Sequence, residues 1–144
     1  MKRYILIVGM IASIFIAVSA ASAGDFDGSK PLLVSVIKVV ECVPDGGCTE
    51  KSPMAAQLPQ FLKIDFANKT IRPAPPEEGR PGTTIERQEV VDGKLILQGA
   101  EDGYENIRDG LGWTMAISEE SGKVVLTASG DQVAFVVFGA ALPL

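Results

Sequence analysis

The sequence predicts an all-β protein, a small antiparallel up-and-down barrel of about seven or eight strands, with a β-sandwich as the alternative. Three observations carry this expectation. After residue 23 no segment shows a helical period. Short runs rich in Val, Ile, Leu and Phe recur instead, several of them strictly alternating. Gly, Asp, Asn and Pro separate these runs, mostly at lengths that suit hairpin turns.

The first segment reads as a signal peptide, residues 1–23. Lys2 and Arg3 form a positive start, the run from Tyr4 to Ala20 is almost wholly apolar, and Ala21-Ser22-Ala23 supplies the small residues of a cleavage site. Cleavage before Gly24 would leave one domain, residues 24–144, and take the net charge from −5 to −7. That acidic balance, with no cluster of Lys and Arg, argues against nucleic acid or an anionic membrane as partner. The expected location is the periplasm or the medium.

The strands follow in order. Leu32–Cys42 is a β-branched run ending at the turn Pro44-Asp-Gly-Gly. Residues 49–60, with Pro53 and Pro59, read as a loop in which Met54–Gln57 could form one helical turn. Gln60–Phe66 alternates, and Ala67-Asn68-Lys69 turns it, Asn68 being tolerant of positive φ. Thr70–Arg72 starts the return. Residues 73–82 hold four prolines and read as an extended connection. Thr83–Val91 reads as an edge strand, Asp92-Gly93 as a hairpin turn and Lys94–Gln98 as its partner. Residues 99–112 are a second long connection. Trp113–Glu119, Lys123–Ala128 and Gln132–Ala140 then form two hairpins, the last strand apolar on both faces and therefore expected to be well buried.

Four segments, Phe26-Asp-Gly-Ser-Lys-Pro-Leu-Leu, Phe61-Leu-Lys-Ile-Asp-Phe, Asp92-Gly-Lys-Leu-Ile-Leu-Gln-Gly and Gly112-Trp-Thr-Met-Ala-Ile-Ser, resemble a group of small uncharacterised exported proteins of Gram-negative bacteria. The resemblance spans most of the chain after residue 23. It implies export and a single domain, and it brings no activity or site residue. In architecture, a small antiparallel barrel is also similar to lipocalins and avidin. The lipocalin Gly-x-Trp signature lies on the first strand, whereas here Leu111 stands at the glycine position and Trp113 comes late in the chain.

The residue types limit the chemistry. Histidine is absent, which excludes histidine-based nucleophilic triads, histidine metal sites and histidine pH switches. Cys42 and Cys48, flanking a tight turn, are expected to form a disulfide. Glu101, Asp102, Glu105 and Asp109 crowd one loop, but their spacing is not that of a calcium loop, and they read as a solvated acidic loop. Asp25 and Asp27 carry the same suggestion of oxygen ligands for a cation. Trp113, Met115 and Ile117 share one face of a strand and are the candidate ligand-lining residues, with core packing as the competing assignment. No catalytic residue, metal or cofactor is assigned. The functional expectation is a non-enzymatic binding module for a small apolar ligand or an envelope protein. The alternatives are a carboxylate-dependent hydrolase and a purely structural envelope protein.

Overall fold

Local turn chemistry sets most strand boundaries. The computed structural model describes residues 24–80, 82–103 and 109–144; the expected signal peptide, residues 1–23, and Glu105 lie outside them. Within these residues the chain forms β1 (Leu32–Val43), β2 (Gly47–Lys51), β3 (Phe61–Asp65), β4 (Thr70–Pro73), β5 (Thr83–Thr84), β6 (Arg87–Val91), β7 (Lys94–Glu101), β8 (Leu111–Ser118), β9 (Lys123–Ser129) and β10 (Ala134–Pro143). The Asp92-Gly93 turn has both residues at positive φ, 47° and 71°, the twist that joins paired strands without splaying them. In the β3–β4 turn the positive φ falls on Lys69 rather than on Asn68. Asn68 instead donates twice to the Asp65 carboxylate, from its backbone N–H at 3.0 Å and its side-chain amide at 2.8 Å.

All the strands belong to one antiparallel sheet in the order β5-β4-β3-β1-β10-β9-β8-β7-β6, with β2 attached beside β1. This is the expected barrel architecture and not a two-sheet sandwich. The two ends of the order are a single stretch of chain. Thr83 and Thr84 pair with β4, and Arg87–Val91 pairs with β7. Between them the Ile85 N–H donates to Lys69 O at 2.8 Å and the Glu86 N–H donates to Gln98 O at 2.9 Å. The sheet therefore curls until its ends meet on residues 83–91. The expected single strand is split at Ile85-Glu86 because the chain changes partner there.

The inside of the curl is apolar. Leu32, Val34, Ile64, Ile71, Ile85, Leu95, Leu97, Trp113, Met115, Ile117, Val124 and Ala141 form one buried cluster. Val36, Val39 and Val137 form a second, against which Ala56, Leu58 and Phe135 pack. Strict alternation from Val36 would send Lys38 inward and Val39 outward. A bulge between Val36 and Lys38 absorbs one residue and reverses the phase. Ile37 is ejected, 65% exposed, while Lys38 points out to Glu50. Gln60 satisfies the disrupted edge: its carbonyl accepts from the Val36 N–H at 2.9 Å, and its side-chain amide donates to Val36 O at 2.6 Å.

Two expectations are corrected. Residues 49–51 belong to strand β2 rather than to a loop, because Cys42 and Cys48 stand directly opposite each other and extend the β1 ladder to Lys51. The last strand is buried on one face only: β10 is paired on both edges, yet its outward Phe138 is 41% exposed and Leu142 is more so. The disulfide itself forms as expected. On the chain-entropy estimate a loop this short contributes about 2–3 kcal/mol.

Gly99 lies directly opposite Trp113 in the β7–β8 ladder. A Cβ there would sit 2.4 Å from Thr84 O and 2.5 Å from the indole Cζ2. Gly99→Ala should therefore destabilise by about 1–3 kcal/mol through overpacking. Gly112→Ala, where an added Cβ meets nothing within 4 Å, should be neutral or stabilising. Chemical denaturation of the two variants checks this; equal midpoints would refute the close packing of Trp113 on Gly99.

Candidate functional site

Alternation along β8 turns Trp113, Met115 and Ile117 inward and Gly112, Thr114, Ala116 and Ser118 outward. Met115 and Ile117 expose no surface, and neither do Leu95 and Leu97 beside them. A void large enough for one water would give its lining residues accessible surface, so no such void adjoins these four side chains. The structure thus brings the sequence-predicted ligand-lining residues together on one inward face, where they are packed. Trp113 is 7% exposed. Its indole N–H donates to Thr83 Oγ1 at 3.0 Å, and the Thr83 hydroxyl donates in turn to Ala100 O at 3.1 Å. One hydroxyl therefore ties the indole to the backbone of β7 at the seam where the sheet closes.

Two hollows open to solvent at this end of the barrel. The larger, about 420 Å³, runs across β7–β10 and is lined by Gln98, Thr114, Thr127, Ser129, Val136 and Glu86 among others. The cross-strand pairs Gln98↔Thr114, Thr114↔Thr127 and Thr127↔Val136 place four of these in one row on the outward face. The hollow thus offers hydroxyls and an amide, and Trp113, Gly99 and Phe135 also line it. The smaller, about 290 Å³, lies beside Asp109, Leu111 and Asp131.

The acidic residues are spread over the surface. Glu101, Asp102 and Asp109 are exposed, and the described residues contain no group of three His, Cys, Asp or Glu placed to hold a metal ion. No charged side chain among them is buried. Burial is what raises a carboxyl toward the range of a general acid at neutral pH. The shifts that do occur run the other way and serve turns. The Asn68 side-chain amide, then its backbone N–H, holds the Asp65 carboxyl below its ordinary 3.8. Hydrogen bonding from Ser29 does the same for Asp27, whose Oδ1 accepts from the Ser29 N–H at 2.8 Å.

The outward face of β9 and β10 is a feature that sequence reasoning missed. Phe138 and Val125 are cross-strand partners, and both are exposed. Val136 flanks Phe138 on the same face, and Val40 of β1 pairs with Val136. The signal was present in the runs Val124-Val-Leu126 and Phe135-Val-Val-Phe138, which are apolar at successive positions. Such a run marks a strand with apolar groups on both faces, and burial is only one way of using the second.

The chain matches no protein-family model, no curated protein and no solved structure.

Thr83→Val keeps the side-chain shape and removes the acceptor for the indole. The unpaired buried N–H should cost about 1–3 kcal/mol and change the emission of the single tryptophan; an unchanged unfolding midpoint and spectrum would show that the bond carries nothing. Asp65, with its folded value lowered, contributes stability that is complete above 3.8 and is lost as pH falls through the lower folded value. The stability gap between the native protein and Asp65→Ala should hold at neutral pH and shrink as pH falls below 3.8. Denaturation midpoints across that range check it, and a gap that persists in acid contradicts it.

Proposed function

We propose that this chain is an exported, non-enzymatic binding module that meets a protein of the bacterial envelope through the outside of its barrel. The observation that carries the reading is the double use of apolar residues. One set fills the inside, with Met115, Ile117, Leu95 and Leu97 fully covered, while a second set, Phe138, Val125, Leu142, Val136 and Val40, stands on the outward face of β1, β9 and β10. Exposed apolar residues grouped on one face are the usual mark of a protein contact. Carriage of a small apolar ligand inside has less support, because a ligand would have to displace packed side chains. Hydrolysis by carboxylates has little to stand on, since none of the described carboxylates is buried. Export is supported by the leader-like residues 1–23, by the resemblance to small exported proteins and by the Cys42–Cys48 disulfide.

The reading is tested by placing a photo-crosslinking residue at Phe138, and at exposed Glu120 as a control, in the living host. Position 138 should yield one discrete adduct with an envelope protein and position 120 none. Absence of an adduct at 138 counts against the outward face. A native mass exceeding the denatured mass by a small discrete increment would instead favour a carried ligand.

A further inference from the structure

The free edge of the sheet at β6 points to a second partner, a copy of the same chain. Among the described residues β6 pairs with β7 alone and ends the strand order. The two-residue turn Asp92-Gly93 fixes which groups are free. Val91 and Lys94 flank it and exchange backbone hydrogen bonds, and the same parity holds for Glu89 with Ile96 and Arg87 with Gln98. Gln88 and Val90 therefore turn their N–H and C=O groups away from β7, to the open side. Val90 and Val91 there are 53% and 51% exposed. No proline lies within the strand, and no irregularity breaks its pairing with β7. Such an edge is a template for another extended strand.

The charges on this edge select that strand. Arg87 and Glu89 project from the same face of β6, paired to each other at 2.9 Å. We propose that two copies associate by antiparallel pairing of β6 with β6 about a two-fold axis at Gln88. That register sets Arg87 opposite the partner's Glu89, and Glu89 opposite the partner's Arg87. Sliding the ladder one step either way sets Glu89 against the partner's Glu89, or Arg87 against the partner's Arg87, and like charges directly opposite are unfavourable. The edge is thus complementary to itself in one register and repelled in its neighbours. The outcome is one sheet running through two barrels, with an isologous interface.

The test is sedimentation of the protein as recovered from its host, over concentrations up to millimolar, beside Arg87→Glu and Glu89→Arg. The native protein should show a monomer–dimer equilibrium. Each variant alone should dimerise about tenfold more weakly, since each replaces two complementary cross-strand pairs by like-charged ones. An equimolar mixture of the two variants should recover the affinity, because the wholly acidic edge of the first then faces the wholly basic edge of the second at both positions. A native protein that stays monomeric overturns the proposal. So does a dimer indifferent to both changes, which would use another surface, or a mixture that fails to recover. Circular dichroism of each variant separates loss of pairing from loss of fold.

Discussion

β1 and β10 lie at opposite ends of the described chain, yet they pair from Leu32↔Pro143 to Cys42↔Ala134, and that ladder fixes where every other strand sits. The remaining neighbours are mostly hairpins, which close short loops and pin their own register. The β1–β10 contact joins residues about as far apart as the domain allows and must offset the corresponding loss of chain freedom. It does so by burying Val34, Val36, Val39, Val137 and Ala141 along one seam. Without it, both strands would be open edges bearing apolar side chains on two faces. The long-range ladder also places this domain among topologies that fold slowly for their size, since its key pairing comes last in sequence.

The same seam explains why the inside is full. The bulge at Ile37 lets one strand serve two stretches of core, Leu32–Val36 before it and Val39 after it, without burying Lys38. At one end Phe26 packs on the larger cluster and lies over Gly122. Toward the other, Trp113 covers Gly99 and is held by Thr83, while Ala56 and Leu58 pack on the second cluster. A barrel of about eight staves has an interior that side chains alone can occupy. Here aromatic and branched residues occupy it.

How much of this was legible in the sequence depended on distance along the chain. The hairpins around Asp92-Gly93, Glu120–Gly122 and Ser129–Asp131 could be read directly, because turn chemistry and period-2 alternation are local signals. The barrel itself followed from counting strands and asking what becomes of the edges. β2 was missed because Thr49-Glu50-Lys51 carries no apolar alternation; its pairing comes from the register that the disulfide shares with β1. The spacing Val34, Val36, Val39 did hold the bulge, as a step of three inside a run of twos, but only the facing strand shows which residue is extruded. Trp113, Met115 and Ile117 were correctly grouped on one face, and sequence could not distinguish lining a cavity from filling one. The outward Phe138 and Val125 failed for the opposite reason. A strand apolar on both faces was equated with a strand buried on both, though burial of the second face depends on what lies beyond the sheet.

The two surfaces proposed for association occupy different parts of the ring, and this matters for what the molecule could do. Following the sheet from β10 through β9, β8 and β7 reaches β6 only after four steps, about half the circumference of such a barrel. A two-fold contact through β6 would therefore leave the outward face of β9 and β10 uncovered on both copies. The dimer would present two identical apolar faces on one rigid sheet, turned away from the axis. A partner offering two copies of its own site, or a repeated envelope structure, would then be held by both faces, and the second attachment would be intramolecular. Avidity of that kind multiplies a weak single contact without any new interaction. It would allow a modest patch built on Phe138 and Val125 to hold its partner where the isolated barrel would not.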